Sequence, residues 1–528
     1  MHRRSFLQSG LVAGSLFLPA PHAWVWAQQS DGSLKLSKAP KVALVVGNGK
    51  YKDAPELKNA PNDAKVIGEV LKASGFEVTL QLDTSREALI GAIRDYVHAM
   101  ETRKCVGMFY FAGHGLQLAW KNYLLPVDGV IDKIADVGNQ SVDLARLMEG
   151  LTKAANPMNV IVLDACRENP FGNLKGVDHK GLSQMDAPNH TLLAYATSPG
   201  NVASDGDGAN GLYTENLLRE LKVPEAKIED VFKRVRLGVR VKSKGAQIPW
   251  ESTSLEEDFW FLPPKELKKI SNEDKAQLFE LELRLWEAAK TSRKAADLQN
   301  YLGRFPNGEY SELAQRELDE VLAAQGEKRI EVGSQTGNPY SQGFARADSD
   351  FKVGDFYSYR VLDLESKAEK RKLGGIITKI TDDEVIIGDG GNILDRMGNT
   401  KRNPEGTRFT DNQNMPLEFY VGKKWSTQFR SFPANVPTSI RIMTEVDYKI
   451  SGREKIQVPA GAFDCFRIEG TGVIITPKGG RGTITNVTWW APERVRRFVA
   501  FNITRKPPPG GVNPPLSERY ELIEFKQT

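Results

Sequence analysis

Apolar residues follow two different rhythms along this chain. In its first half, short unbroken apolar runs alternate with stretches at helical spacing. "KVALVVG" (41–47), "FEVTLQL" (76–82), "CVGMFYFAG" (105–113), "NVIVLDAC" (159–166) and "TLLAYATS" (191–198) are runs of this kind and predict strands. Between them, "APNDAKVIGEVLKASG" (60–75), "SREALIGAIRDYVHAM" (85–100) and "VDLARLMEGLTKAA" (142–155) place apolar residues three and four apart. Two more helical stretches follow at 211–221 and 226–243. Strands that are apolar throughout, alternating with helices, predict a mostly parallel sheet covered on both faces.

Residues 265–325 read as helices and 326–350 as a polar, glycine-rich linker. The "YLGRFPNGEYSELAQREL" segment reads as one helical hairpin, a spacer or docking pair rather than a solenoid. From 351 to 528 the period shortens to two. "FYSYRVLDL", "SIRIMTEVDYKI" and "GTGVIITPKGGRGTITNVTWWAP" alternate apolar and polar positions between turn residues. This pattern predicts an all-β sandwich or half-barrel. Trp489 and Trp490 are read as core residues rather than as a binding face.

The opening departs from both rhythms. "HRRSFLQSG", the short apolar "LVAGSLFL" and "PAPHAWVWAQQ" have the layout of a secretory signal over residues 1–27, cut after Ala27. Arg3 and Arg4 before Ser-Phe-Leu resemble the twin-arginine signal, which exports folded proteins. The apolar core is too short for a stable membrane span. The mature chain is therefore expected to be periplasmic or secreted, beginning with a polar linker (28–40).

Composition narrows the picture further. Hydrophobic residues make up 40% and charged residues 26%, the balance of a soluble globular protein. The net charge of +4 comes with no clustered lysine- and arginine-rich face, so nucleic acid is not an expected partner. An odd count of 3 cysteines excludes a simple disulfide framework. No cluster has metal-ligand spacing, and "GNGKY" lacks the spacing of a phosphate loop. No cofactor is expected.

Candidate chemistry gathers where strands end. In parallel sheets, ligand sites lie at the carboxyl ends of the strands. "MFYFAGHGLQ" ends with His114 between Gly113 and Gly115, and "VIVLDACREN" ends with Cys166, 52 residues later. One sheet edge can hold both. A buried cysteine alone is an ordinary small hydrophobe, but imidazole beside a thiol is what nucleophilic acyl transfer requires. The flanking glycines would leave room for substrate and aim the Gly115 N–H at a developing oxyanion.

These residues resemble a known family. "VALVVGNGKY", "LKNAPNDAKVIGEVL", "FYFAGHG", "NYLLPVD", "VIVLDACREN", "AYATSPGNVASDG" and "QIPWESTSL" make residues 41–260 similar to a caspase-like peptidase domain of the bacterial and paracaspase branch. The resemblance implies a caspase-like αβα sandwich. It also implies His114 as base, Cys166 as nucleophile, and the amides of Gly115 and Cys166 as oxyanion hole. Caspases carry Q-A-C-[RQG]-G, with the histidine roughly 50 residues upstream. Here the motif is D-A-C-R-E. Paracaspases share that aspartate, which points to Asp164, with Asp63 and Asp205 at the two matching positions, as the pocket for the residue before the cut. Three carboxylates favour arginine, then lysine, and repel aspartate. Taken alone, Asp63 in "PND" would serve as a helix-start residue.

Related metacaspases are often calcium-activated. "SDGDGANG" (204–211) has calcium-loop composition without the full pattern, and it is read as a turn. Lys175 and Lys180, in the loop after Cys166, are candidate self-cleavage points. The resulting expectation is an exported cysteine endopeptidase acting on peptide or protein substrates with Arg or Lys before the cut. All of its catalytic groups lie within 41–260. The competing expectation is an inactive caspase fold serving as a scaffold, with the β domain as its recognition module.

Overall fold

A computed structural model describes residues 31–166, 170–171, 174, 181–201, 203, 208–265, 271–328, 337–434, 441–508 and 515–528. The side chains of Asp31, Cys166 and Asn272 are outside that description. The expected signal at 1–27, Lys175, Lys180 and Asp205 also lie outside it.

The long apolar runs form one sheet. β1 (Lys41–Gly47) and β2 (Glu77–Leu82) pair in parallel. β3 (Val106–Leu118) lies on the other side of β1. β4 (Lys121–Leu124) and β5 (Val142–Asp143) are short additions beside it. β6 (Met158–Cys166), β7 (Thr191–Tyr195) and β8 (Trp250–Thr253) complete the order β2-β1-β3-β6-β7-β8. β8 alone on this path runs antiparallel to its neighbour.

Helices α1 (Asp31–Lys38), α2 (Ala60–Ala73), α3 (Arg86–Arg103), α4 (Ile134–Gln140), α5 (Ala145–Ala154), α6 (Leu212–Glu220) and α7 (Ile228–Lys242) accompany the sheet. From β1 the chain steps outward through α2 to β2, then back across β1 through α3 to β3. Right-handed crossovers in opposite directions put α2 and α3 on opposite faces. The strand order therefore reverses at β1, and the crevice at the carboxyl end of β1 and β3 is where ligands enter such sheets. β3 is buried at every position but its last, as a strand covered on both faces must be.

Several expectations change. Residues 28–40 are not simply a linker, because α1 forms there and buries Leu36 in the main core. The strand bearing His114 does not stop at the sheet edge. It continues to Leu118 and turns back as β4, with Gly115 opposite Leu124.

The helical segment holds three helices, the last two of which span the "YLGRFPNGEYSELAQREL" segment. α8 (Asn272–Ser292), α9 (Ala295–Arg304) and α10 (Ser311–Ala324) share a core around Trp286, Tyr301 and Tyr310. α8 has a capping box from Ser271 and Asp274.

The C-terminal part is a closed barrel rather than a sandwich or half-barrel. Apart from β9 (Phe344–Arg346) and β16 (Glu418–Tyr420), which pair with each other, twelve strands build it. The first half comprises β10 (Phe356–Asp363), β11 (Glu369–Ile380), β12 (Val385–Ile387), β13 (Asn392–Leu394), β14 (Thr400–Arg402) and β15 (Arg408–Phe409). The second comprises β17 (Lys424–Phe432), β18 (Ile442–Val458), β19 (Gly461–Ile475), β20 (Arg481–Trp490), β21 (Ala500–Lys506) and β22 (Leu516–Lys526). Pairing of β10 with β22 closes the ring and removes exposed strand edges. Trp489 and Trp490 are buried, as read, with their indole N–H groups donating to Glu454 and to Val495 O.

The C-terminal region docks on the β8 side of the first sheet chiefly through its β9–β16 pair. Trp250 packs edge-on against Phe344 at 4.5 Å. Arg236 of α7 makes a two-pronged pair with Glu418, at 3.0 and 2.7 Å. Lys423 pairs with Glu312 of α10 at 2.9 Å, both side chains buried. No helix among the described residues is long and apolar enough to cross a membrane.

Candidate active site

The β3–β6 ladder is regular from Val106↔Met158 to Ala112↔Asp164, and then it slips. The next pair is Gly115↔Cys166, so β3 spends three residues where β6 spends two. Such a bulge re-aims a side chain, and bulges cluster beside functional sites. The residues caught in it are Gly113 and His114, directly before the residue opposite Cys166.

His114 is 4% exposed and held from the loop after β1. Its backbone N–H donates to the Tyr51 hydroxyl at 2.8 Å. The two rings lie 4.7 Å apart, tilted by 56°. Ring Nε2 sits 2.8 Å from Pro55 O. A carbonyl can only accept, so Nε2 carries the hydrogen in the neutral ring. Nδ1 is then the basic nitrogen.

The loop that supplies Tyr51 and Pro55 is itself pinned. Asp83 accepts from Gly49 N and Lys50 N at 2.8 and 3.0 Å, and Leu57 N donates to Gly49 O at 3.0 Å. A Cβ on Gly49 would lie 2.5 Å from Leu57 O, so nothing larger fits. The amides a phosphate loop would offer are thus already taken by Asp83, in line with the missing spacing in "GNGKY".

The two glycines beside His114 work differently from the expectation. A Cβ at Gly113 would meet the Tyr51 hydroxyl at 2.6 Å. One at Gly115 would meet Leu182 at 3.0 Å and Ala165 O at 3.1 Å. Protein, not open space for substrate, fills the room they leave.

Asp164 and Asp63 converge on the first turn of α6. Asp164, 5% exposed, accepts from the Thr214 hydroxyl at 2.8 Å. Asp63, 2% exposed, accepts from Gly211 N with both oxygens, at 3.1 and 3.2 Å. It therefore faces the start of another helix instead of serving only its own. Negative charge is stabilised at a helix N-terminus. Thr214 also meets the Tyr110 hydroxyl at 2.6 Å. The Tyr110 phenol is pushed well above its ordinary pKa, first by burial and then by the charges of Asp164 and Asp63. Two of the three sequence-predicted acids thus share one buried neighbourhood. The third, Asp205, and the Cys166 thiol belong to the undescribed atoms.

The other two thiols are core residues. Cys105 and Cys465 are fully buried, and burial pushes the Cys465 thiol up to about 12. Tyr51, Pro55, Tyr110 and Thr214 were not singled out from sequence. Pro55 acts through its carbonyl, which any residue type would supply, so no sequence signal marks it. Among the described residues, no group of three or more His, Cys, Asp or Glu could hold a metal ion.

With a His-bearing bulge opposite a strand-end cysteine, the sheet has the layout of a cysteine-peptidase domain. Residues 40–260 match the family model described as caspase domain, in keeping with their caspase-like α/β fold. A stretch of 191 residues is 25% identical to human "Mucosa-associated lymphoid tissue lymphoma translocation protein 1", covering 35% of this chain and 22% of that protein. The mouse homolog matches over the same length at 25% identity. The chain spans about a fifth (22%) of the length of these curated relatives.

Proposed function

We propose that this protein is an exported cysteine endopeptidase that cleaves after arginine and, less well, after lysine. The observation that carries the reading is the held imidazole of His114, with Nε2 committed to Pro55 O beside the bulge that pairs Gly115 with Cys166. In the proposed reaction, Nδ1 of His114 takes the Cys166 thiol proton, and the thiolate attacks the substrate carbonyl carbon. The amides of Gly115 and Cys166 stabilise the oxyanion. The His114 imidazolium returns its proton to the leaving amine, the C–N bond breaks, and water hydrolyses the resulting thioester. No cofactor enters this scheme.

Asp63, Asp164 and Asp205 are the proposed pocket for the basic side chain. Two buried carboxylates around α6 support it, since a guanidinium offers several donors to paired acids. Export through Arg3 and Arg4 is the matching proposal for location. It predicts that replacing both by lysine traps a precursor in the cytoplasm, seen by fractionation. The deciding experiment profiles cleavage of an unbiased peptide library by wild type, Cys166→Ala and His114→Ala. Cuts after Arg and Lys that vanish in both variants are expected. Cuts after Asp, or cuts that survive in both variants, would refute the reading.

A further inference from the structure

The stretch after the helices lies along residues 183–186 of the caspase domain. Asn338 Nδ2 donates to Gln184 O at 2.8 Å and to Ser183 Oγ at 3.3 Å. Asp186 is engaged at three atoms: its N–H donates to Tyr340 O at 2.9 Å, and its carboxylate accepts from the Ser341 hydroxyl at 2.8 Å and Gln342 N at 2.7 Å. Asn122 of β4 holds the same segment as well. Its Oδ1 accepts from Ser183 N at 2.7 Å, and its Nδ2 donates to Ser183 O at 2.9 Å.

Segment 183–186 is thus clamped between the hairpin that continues from His114 and a strap contributed from beyond the caspase domain. Leu182, directly before it, is the side chain packed on Gly115. Gly181, with φ +76°, lies so close to Asn201 that a Cβ would approach its carbonyl oxygen to 2.4 Å. Residues 182–190 belong to no strand or helix. Without a ladder of its own, this wall is held by the partners its backbone finds. The strap is one of the sides that hold it, beside Asn122 of β4 and Ser252 of β8, which accepts from Ala187 N at 3.1 Å.

We propose that Asn338 and Asp186 are positioning residues for the candidate active site. The strap 338–342 holds Leu182–Asp186 against Gly115, and full hydrolysis requires chain beyond residue 260. This rests on the peptidase reading above. It also qualifies the expectation that all catalytic groups lie within 41–260: the groups that react lie there, but part of their support does not. Catalytic constellations tolerate little displacement, and a shift of about 1 Å can cost on the order of 100-fold.

The test uses the full chain carrying Asn338→Ala or Asp186→Ala, with Asp186→Asn as the conservative variant and Ser341→Ala as a milder lesion that removes the hydroxyl's bonds to Asp186 and Gly343. Thermal unfolding, kcat, KM and hydrogen exchange at 114–116 and 182–186 are measured for each. The alanine variants should unfold like wild type but exchange faster at both segments. Their kcat should fall about 10- to 100-fold with a smaller change in KM, and Asp186→Asn should recover most of the loss. Unchanged kcat despite faster exchange at 182–186 would overturn the proposal, as would exchange at 114–116 that ignores the strap. If Asn338→Ala or Asp186→Ala fails to fold, the same comparison is made on Ser341→Ala. If wild type hydrolyses nothing, the peptidase reading fails by itself. Exchange at 114–116 then decides the positioning: faster exchange in the variants supports it, and no change refutes it.

Discussion

β6 and β19 each carry a cysteine, and their surroundings give the two thiols opposite prospects. β6 is the centre of a sheet covered on both faces, and Cys166 stands at its carboxyl end, where the ladder breaks at the bulge. β19 belongs to a closed barrel with partners on both edges, and Cys465 sits inside it, fully buried beside Phe463 and Trp489. In the first case, the strand end is where the proposed reaction is placed. In the second, closure leaves no free edge, and burial holds the thiol protonated. A cysteine's residue type therefore says little; its position along the strand decides.

The sharpest way to break this comparison is to remove each thiol in turn. Cys166→Ala and His114→Ala should each lower kcat/KM by about 10³-fold or more, while Cys465→Ala and Cys105→Ala stay active. Activity lost with Cys465 and kept without Cys166 would reverse the assignment.

The junction between the two regions comes next. Lys423 and Glu312 are both buried, so Lys423→Ala removes the ammonium paired with the Glu312 carboxylate and leaves it only the Leu417 N–H as a bonded donor. Denaturant unfolding should show a loss of about 3–5 kcal/mol in the transition of that junction. A loss below about 1 kcal/mol, the range of exposed pairs, would mean that the barrel's hold on the rest of the chain lies elsewhere.

A smaller change is expected on the active-site side. Asp164→Asn should weaken kcat/KM for arginine peptides by about 30-fold or more, the low end of losing one partner of a buried charge pair. The arginine-to-aspartate ratio should shrink accordingly. An unchanged ratio removes Asp164 from the pocket.

The mildest effect is a pH slope. Glu282 of α8 is buried, accepts from the Tyr301 hydroxyl at 2.7 Å, and is raised by burial from 4.5 to about 7. The unfolded chain loses this proton first, so stability falls as pH rises through that window, by about 1.4 kcal/mol per unit. Glu309 is raised as well, by burial and by the Glu282 charge. Glu282→Gln should therefore reduce the slope in pH-dependent unfolding of the helical segment, and an unchanged slope would place the titrating group elsewhere.

Much of the caspase domain was legible because its signals are local. Short β-branched runs such as "VIVLDAC" read as buried strands, and alternation with helices implies parallel order. Parallel order carries His114 and Cys166 to one edge across 52 residues of sequence. Asp63 and Asp164 were legible through their motifs, although neither motif names the first turn of α6 as their meeting place.

Other features depend on distant pairing, which leaves no periodic trace. The barrel closes through Phe356 and Lys526, at opposite ends of that region. The strap reaches Asp186 from 155 and 156 residues away. β3 reads as ending at "AGHG" because glycines usually stop strands; here the bulge and the hairpin with β4 carry it onward.

By itself, the sequence determined most of the strands and helices of the first region, and that a histidine and a cysteine at strand ends share a sheet edge. Those outcomes follow from hydrophobic period and residue type. Tertiary structure alone decided that Pro55 O commits Nε2 of His114, that Asp63 faces α6, that the barrel closes, and that the strap braces Leu182. Each of these is a backbone group or turn meeting a partner far along the chain, and a peptide carbonyl looks the same in every residue until the fold selects one.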